Sequence, residues 1–418
     1  MELNLSGELG GTVIVPPSKS AAHRLLICAA LADAPSQFFC GEYGDDVEAT
    51  ADCLRDLGAV IKYSEGEFRV WPIGSVQRHC QLDCGESGST LRFLLPVAAA
   101  LGADASFTGR GRLSQRPLSP LYEELTRHGV ALSPDGIFPL SCRGQLQGGE
   151  YTLDAGVSSQ FITGLLLALP LAHEDSTITL TGTVQSRPYI DLTLNTLIHS
   201  GVRIDQTENG FFVPGHQRYS AVKGISIEGD WSAAAFWTVA GVIGKSPLYC
   251  KGIDFERSLQ GDKAIVAILK DMGGQVRSTG DGIAAFPSEL QGTDIDCTDI
   301  PDLVPALAAA AAFAKGRTTF HGTQRLRLKE SDRVQSIAGM LAAFGIECET
   351  AQDTLTVIGG NPRAAAKVET AGDHRIAMAA SIIASACEGT TLITDAECVS
   401  KSYPDFFNDF RKAGGSIA

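Results

Sequence analysis

The sequence predicts an α/β fold built from six repeats of about seventy residues, and three observations lead to it. Amphipathic segments that end in glycine and pass into β-branched runs recur along the chain, as helices with a C′ glycine do. The six glycines lie 71, 72, 72, 72 and 69 residues apart: Gly58, Gly129, Gly201, Gly273, Gly345 and Gly414. Each repeat also holds a second, more apolar helix, and short β-type runs separate the helices.

The second helix of each repeat has a body rich in Ala, Leu and Ile, which predicts helices that are buried on all sides. Their starts are polar. The six predicted starts lie near Ser18, Glu86, Ser158, Trp231, Ile300 and Asp373.

The β-type runs between the helices, such as 177–180 and 354–357, predict small sheets with helices packed against them. A chain of 418 residues is too long for one ordinary core. Six repeats divide naturally into two groups of three, with a midpoint near residues 220–230.

Composition excludes several functional classes. With 34 Lys and Arg against 48 Asp and Glu, the net charge is −14, which disfavours binding to nucleic acid or to an anionic membrane surface. The longest apolar runs reach about a dozen residues, short of the ~18 that a membrane span needs, and the N-terminus does not resemble a signal peptide. Eleven cysteines without a CxxC pair indicate free thiols in a reducing cytoplasm. We therefore expect a cytoplasmic protein with neither nucleic acid nor membrane as a partner.

The polar starts of the apolar helices are candidate anion sites, because helix N-termini offer free N–H groups and a positive dipole. The alternative is that each is an ordinary helix cap with solvated cations. The sequences of the six helix starts are Ser18-Lys19-Ser20, Gly85-Glu86-Ser87-Gly88, Ser158-Ser159-Gln160, Gly229-Asp230-Trp231-Ser232, Ile300-Pro301-Asp302 and Gly372-Asp373-His374-Arg375.

Cations are concentrated in the connecting segments, at Arg116, Arg187, Lys329, Arg333 and Lys401. Several cations that converge on one site would bind a ligand with more than one anionic group. Carboxylates among them, Asp302 and Glu330, would be natural proton carriers. Because Lys329 and Arg333 are four residues apart, a salt-bridged helix surface is the alternative explanation for that pair. His79, Cys80 and Cys84 come nearest to a metal-ligand cluster, but their pattern is weak and no metal is expected.

These motifs resemble the 5-enolpyruvylshikimate-3-phosphate synthase family of enolpyruvyl transferases, also called 3-phosphoshikimate 1-carboxyvinyltransferases, over nearly the whole chain. The motifs that carry the resemblance are Pro17-Ser18-Lys19-Ser20 with Arg24, Gly85–Arg92, Gln115-Arg116-Pro117, Ser158-Ser159-Gln160, Arg187-Pro188-Tyr189, Pro301-Asp302, Arg327–Arg333, Asp373-His374-Arg375 and Lys401 with Pro404-Asp405.

The resemblance implies an α/β fold of two similar domains of the inside-out barrel type, with the active site in the cleft between them. One domain would span residues 15–226, and the other residues 1–14 plus 227–418. It also implies transfer of the enolpyruvyl group of phosphoenolpyruvate to the 5-hydroxyl of shikimate 3-phosphate by addition and elimination. No cofactor or metal is implied, and we expect a monomer.

The resemblance also assigns roles by position. Catalysis would depend on Lys19, Asp302 and Glu330. Shikimate 3-phosphate would be bound by Lys19, Ser20, Arg24, Ser158, Ser159, Gln160, Ser186, Asp302 and Lys329. Phosphoenolpyruvate would be bound by Lys19, Gly88, Arg116, Gln160, Arg333, Arg375 and Lys401.

The chain departs from the family pattern at two positions. Glu86 stands where asparagine is frequent, so we expect it to point away from the ligand or to pair with a cation, and Arg325 stands where the residue is often neutral or of different charge. The related UDP-N-acetylglucosamine enolpyruvyl transferases carry Lys-Asn at the first helix and usually a cysteine before the Arg-Pro pair, whereas residues 109–116 here contain no cysteine. A non-enzymatic repeat scaffold or a relative of the RNA 3′-phosphate cyclases would bind nucleic acid, which the net charge disfavours.

Overall fold

The computed structural model describes residues 1–76 and 79–418. The chain forms two compact units. The first unit comprises Lys19–Ile227, and the second unit comprises Met1–Ser18 with Glu228–Ala418. The chain thus passes between the units at 18/19 and at 227/228, four residues and one residue beyond the boundaries that were expected from the sequence.

Helices and strands are numbered in chain order through the whole chain. The first two strands, which belong to the second unit, are β1 Leu3–Ser6 and β2 Gly11–Ile14. The first unit follows with helices α1 Lys19–Ala30, α2 Asp45–Asp56, α3 Gly88–Ala100, α4 Leu121–Arg127, α5 Ser159–Ala168 and α6 Arg187–His199. Its strands are β3 Ser36–Phe39, β4 Val60–Ser64, β5 Glu67–Trp71, β6 Cys80–Asp83, β7 Ala105–Thr108, β8 Val130–Leu132, β9 Leu140–Gly144, β10 Gly149–Asp154, β11 Ser176–Thr181, β12 Asp205–Thr207, β13 Gly210–Val213 and β14 Lys223–Ser226.

The rest of the second unit has the same make-up. Its helices are α7 Trp231–Ile243, α8 Ile265–Asp271, α9 Val304–Phe313, α10 Arg333–Ala343, α11 His374–Ala386 and α12 Phe406–Lys412. Its remaining strands are β15 Leu248–Lys251, β16 Gln275–Ser278, β17 Gly282–Phe286, β18 Asp294–Asp296, β19 Arg317–His321, β20 Glu347–Thr350, β21 Thr354–Ile358, β22 Lys367–Val368, β23 Thr391–Ile393 and β24 Ser416–Ile417.

Every sheet among the described residues has four strands and one topology: a parallel pair extended by two antiparallel strands. The first unit has the orders β14-β3-β5-β4, β6-β7-β9-β8 and β10-β11-β13-β12, and the second unit has β2-β15-β17-β16, β18-β19-β21-β20 and β22-β23-β1-β24. Six sheets of one design confirm the predicted α/β fold and its repeats.

The repeat glycines have the conformation that the sequence pattern predicts. All six lie two residues beyond the end of a helix, at φ between +73° and +113°. Side chains with a Cβ rarely adopt this left-handed region, so glycine ends each helix at low cost and turns the chain toward the next strand.

Each unit has its own hydrophobic core, built around the apolar helices. In the first unit α3 packs closely against α5, and in the second unit α7, α9 and α11 contact one another. A Cβ added to Gly164 in α5 would lie 2.2 Å from the carbonyl oxygen of Arg92 in α3. The close approach of these two helices therefore requires glycine at this position.

One predicted helix start is displaced. The sequence places it near Ile300, whereas α9 begins at Val304, because residues 300–303 form a turn in which the N–H of Leu303 donates to the carbonyl of Ile300. Pro305 lies in the first turn of the helix, where its missing N–H costs nothing. Asp302 therefore lies in the turn before the helix, and no side chain caps α9.

Candidate active site

Lys19 is the first residue of α1, and its ammonium group is held by a carboxylate. Its Nζ donates to Oδ2 of Asp46 at 2.8 Å, and both side chains are largely buried, at 15% and 10% exposed. The pairing fixes a cation at the N-terminus of a buried helix. Asp46 is absent from the residues predicted from the sequence, because Asp45-Asp46 at the start of α2 is typical of ordinary acidic first-turn residues.

Arg24 lies one turn further along α1 and is only 2% exposed. Its guanidinium donates to the carbonyls of Ser20 and Tyr189 and to the hydroxyls of Thr193 and Thr163. Burial lowers the pKa of Arg24 to about 10, so the group stays charged at neutral pH. Four of its five N–H groups are directed to the protein, which holds the guanidinium rigidly and leaves one N–H to offer to an anion.

The start of α5 presents a hydroxyl and an oriented amide. Ser158 caps the helix by accepting from the N–H of Gln160, while the side-chain NH2 of Gln160 donates to Ser89 Oγ at 3.0 Å. Nη1 of Arg92 donates to Oε1 of Gln160 at 2.8 Å. These two hydrogen bonds fix the orientation of the Gln160 amide, with its NH2 group toward Ser89 and its oxygen toward Arg92. Ser159, the first residue of α5, is buried.

Gly88 and Arg116 are in direct contact. A Cβ added to Gly88 would lie 2.8 Å from Cζ, Nη1 and Nη2 of Arg116. The guanidinium, which is 8% exposed, therefore rests flat against the backbone at the start of α3. Only glycine at position 88 leaves room for the side chain of Arg116 to lie there.

If Arg116 binds phosphoenolpyruvate, as the family resemblance implies, Gly88→Ala should displace Arg116 and raise the KM for phosphoenolpyruvate by about 10- to 100-fold, because a misplacement of about 1 Å can cost ~10²-fold. Steady-state kinetics with each substrate varied in turn measures this, and affinity for shikimate 3-phosphate should change less. The matched control is Gly339→Ala in α10, where an added Cβ meets nothing within 4 Å. An unchanged KM for phosphoenolpyruvate in Gly88→Ala would remove Arg116 from the proposed binding set.

Glu86 and Ser186 have unusual local geometry. The carboxylate of Glu86 lies against Gly111, since a Cβ on that glycine would approach Glu86 Oε1 to 2.1 Å. Ser186 precedes α6, is buried, and has φ 55° and ψ 41°. A non-glycine residue in this left-handed region costs free energy and persists only where its surroundings impose it.

The second unit holds a buried cluster of charges around Arg333, which is 1% exposed. Its Nη1 donates to Asp302 Oδ1 at 2.8 Å, its Nη2 to Glu330 Oε2 at 2.7 Å, and its Nε to Asp373 Oδ2 at 2.8 Å. The three carboxylates raise the pKa of Arg333 against the effect of burial, so the guanidinium is permanently charged. Arg333 therefore forms ion pairs with three carboxylates. Because its side chain is buried, the pair Lys329 and Arg333 is not a salt-bridged helix surface.

Asp302 receives hydrogen bonds from three cations. Besides Arg333, Nη2 of Arg375 donates to Asp302 Oδ2 at 3.0 Å, and Nζ of Lys329 donates to Oδ1 at 3.4 Å. Such a surrounding stabilises the ionised carboxylate, which is the form that a general base requires.

Lys329 and Lys401 differ in their surroundings. Burial lowers the pKa of Lys329 to about 8, although the nearby Asp302 opposes the shift. Nζ of Lys401 donates to the carbonyl of Gly372 at 3.0 Å, at the start of α11. Both ammonium groups thus lie near helix starts that carry other candidate residues.

The predicted site residues fall into two sets. Lys19, Ser20, Arg24, Gly88, Arg116, Ser158, Ser159, Gln160 and Ser186 belong to the first unit, and Asp302, Lys329, Glu330, Arg333, Arg375 and Lys401 belong to the second. The predicted site set did not include Asp46, Arg92 and Asp373, which hydrogen-bond to Lys19, Gln160 and Arg333 respectively. Arg92 and Asp373 lie within motifs that carry the resemblance. Residues 1–76 and 79–418 contain no group of three or more His, Cys, Asp or Glu that could hold a metal ion.

Comparison with known proteins gives one consistent result. The family model for EPSP synthase (3-phosphoshikimate 1-carboxyvinyltransferase) matches residues 3–410. The chain belongs to this family. The 3-phosphoshikimate 1-carboxyvinyltransferase of Clostridium kluyveri is 41% identical over 413 residues, covering 98% of this chain and 96% of the relative. That of Clostridioides difficile is 39% identical over 426 residues, with the same coverage.

Solved structures agree with the family membership. An EPSP synthase from Acinetobacter baumannii superposes with a TM-score of 0.81 at 27% identity, covering 100% of this chain and 99% of that one. The enolpyruvyl transferase NikO from Streptomyces tendae gives 0.79 at 19% identity, with 100% and 98% coverage, which shows a shared fold. Membership in the EPSP synthase family confirms the predicted class of enzyme, enolpyruvyl transfer in the shikimate pathway of aromatic amino acid biosynthesis.

Proposed function

We propose that the protein transfers the enolpyruvyl group of phosphoenolpyruvate to the 5-hydroxyl of shikimate 3-phosphate and releases phosphate. The observation that carries this proposal is Asp302, a carboxylate that Arg333, Arg375 and Lys329 surround next to Glu330. A base and an acid lie there among cations, as an addition to an anionic alkene requires.

Each substrate has a carboxylate and a phosphate, and the two residue sets provide cations for both. We infer that Lys19, Ser20, Arg24, Ser158, Ser159, Gln160, Ser186, Asp302 and Lys329 bind shikimate 3-phosphate. We infer that Lys19, Gly88, Arg116, Gln160, Arg333, Arg375 and Lys401 bind phosphoenolpyruvate. Guanidinium forks suit carboxylate and phosphate, and the helix starts add N–H donors.

The addition step uses Asp302 and Glu330. Asp302 accepts the proton of the 5-hydroxyl, the oxygen forms a bond to C2 of phosphoenolpyruvate, and Glu330 delivers a proton to C3. In the elimination, the Glu330 carboxylate takes a proton from C3, the C2–C3 double bond forms again as the C2–O bond to phosphate breaks, and the proton held by Asp302 leaves with the phosphate. Lys19 neutralises charge on the departing phosphate.

Glu330 is bound by Arg333 in this structure, so it must move or exchange partners to protonate carbon. Phosphoenolpyruvate provides a reason for such a change: its anionic groups compete with the carboxylates for Arg333 and Arg375. Binding of the substrate would thus release the acid from its ion pair as it fills the site.

The acceptor distinguishes this proposal from the related transfer to UDP-N-acetylglucosamine. Mass spectrometry of products, with phosphoenolpyruvate and either acceptor, is the experiment. An enolpyruvyl adduct of shikimate 3-phosphate alone supports the proposal, and an adduct of UDP-N-acetylglucosamine alone would overturn it.

The pKa of Lys329 predicts a pH limit for acceptor binding. Because Lys329 loses its charge above about pH 8, kcat/KM for shikimate 3-phosphate should fall above that pH, while the cation is present below it. Lys329→Arg keeps a charge at all relevant pH values, so the ratio of kcat/KM for Lys329→Arg to that for wild type should rise above about pH 8. A ratio that does not change with pH would assign the loss near pH 8 to another group.

We further propose that the protein is a monomer located in the cytoplasm. The eleven free cysteines, eight of them buried, support the location, because free thiols suit a reducing compartment, and the monomer rests on the family resemblance alone. No helix in the described ranges is long and apolar enough to cross a membrane.

A further inference from the structure

Asp262 is a buried acid that none of the roles above uses. It lies in a helical turn, Gly261–Ala264, that packs against α7, and it is 2% exposed. The hydroxyl of Ser232, the second residue of α7, donates to Oδ2 of Asp262. Its other oxygen, Oδ1, has no hydrogen-bond partner within the described chain.

The position of Asp262 connects it to the candidate catalytic base. Helix α7 packs against α9 and α11, so the turn before α9, which holds Asp302, and the first turn of α11, which holds Arg375, lie near it. The charged groups that act on Asp262 are Asp302, Arg375 and Asp230. Asp230 is the N-cap of α7 and accepts from the N–H of Ala233.

Two carboxyl groups near one arginine do not both ionise readily, because the negative charge of one disfavours ionisation of the other. Asp302 has hydrogen bonds from three cations, whereas Asp262 has one from a neutral hydroxyl. When Asp262 and Asp302 carry one proton between them, that proton is therefore more stable on Asp262. Burial first, and then the charge of Asp302, raises the pKa of Asp262 to about 7.

We propose that Asp262 is a positioning residue that retains its carboxyl proton so that Asp302 stays ionised and paired with Arg375. This proposal rests on the role of Asp302 in the proposed function. A protonated Asp262 is neutral in its buried position and does not compete with Asp302 for Arg375. An ionised Asp262 attracts Arg375 away from Asp302 and so weakens the ion pair that keeps the base ionised.

The direction of the pH effect follows from this. Below about pH 7 Asp262 holds its proton and the base is correctly paired. Above that pH the ionised fraction grows about tenfold per unit of pH relative to the protonated form, and kcat/KM falls with it. Deprotonation of Lys329 also lowers kcat/KM near pH 8, but it does so equally in wild type and in every variant that keeps Lys329.

Asp262→Asn is the decisive variant, since asparagine has nearly the same shape and never ionises. The ratio of kcat/KM for Asp262→Asn to that for wild type should rise by up to about tenfold per pH unit above pH 7, which cancels the Lys329 contribution. The matched control is Asp271→Asn at the exposed end of α8, for which the ratio should be independent of pH. A ratio that is flat for Asp262→Asn as well would overturn the proposal.

Infrared spectroscopy of the wild-type enzyme gives a readout that does not depend on catalysis. A protonated buried carboxyl should give a C=O stretching band at pH 6 that disappears as the pH rises through about 7, and Ser232→Ala should shift its frequency by removing the hydrogen bond. Absence of such a band in wild type contradicts the proposal even if Asp262→Asn does not fold. If the band is present but neither acceptor is used, the proposed function fails while Asp262 remains a proton-bearing group.

Discussion

Replacing Asp302 with asparagine should lower kcat/KM by roughly 10²–10⁴-fold, the usual contribution of a positioned general base. The change keeps the shape of the side chain but removes the negative charge and presents an NH2 group toward cations. Arg333, Arg375 and Lys329 each lose an ionic partner. Steady-state kinetics with one substrate varied while the other is saturating measures the loss.

Binding separates a catalytic role from a structural one for Asp302. Shikimate 3-phosphate should bind to Asp302→Asn within about tenfold of wild type, as measured by calorimetry, while turnover is lost. The control is Asp294→Asn, an exposed carboxylate on β18, which should keep full activity. Normal binding together with normal turnover in Asp302→Asn would show that another group accepts the proton.

Lys19→Ala is expected to lower kcat/KM by several orders of magnitude for both substrates. The ammonium group of Lys19, at the start of α1, is the one cation proposed to contact both substrates and the leaving phosphate. Its loss removes charge stabilisation at a partly buried position, where each such interaction can contribute about 2.7–4 kcal/mol to the barrier.

The fold should survive this change. Removing one partner of a largely buried ion pair costs about 3–5 kcal/mol, against the ~5–15 kcal/mol that stabilises typical proteins. Circular dichroism and thermal melting check this, and Asp46→Asn in the Lys19→Ala background should recover stability but not activity. Near-wild-type turnover in folded Lys19→Ala would mean that the lysine is only part of a helix cap.

The sequence predicts the fold well at positions where the backbone conformation or the burial allows only one type of residue. The glycine after each helix is an example: left-handed backbone at Gly58 or Gly345 requires glycine, so the pattern is visible in the chain itself. The apolar bodies of the buried helices are equally clear. The start of α9 was misplaced because Pro301 and Pro305 both suit the first turn of a helix, and local preference does not decide between them.

The cations of the candidate site could be predicted from the sequence, whereas most of the carboxylates that position them could not. Lys19 and Arg333 are conspicuous in sequence, but their carboxylate partners, Asp46 and Asp373, have the pattern of ordinary helix caps. Only the three-dimensional structure shows that Asp46 reaches Lys19 across 27 residues. Asp262 is more remote still, since nothing near it in the sequence indicates that it acts on Asp302.

Release of phosphate from phosphoenolpyruvate, measured with and without shikimate 3-phosphate, tests the central claim most directly. The account predicts release that depends on shikimate 3-phosphate, with one phosphate formed for each enolpyruvyl group transferred. Release at the same rate without the acceptor, or no release with both substrates present, would contradict it.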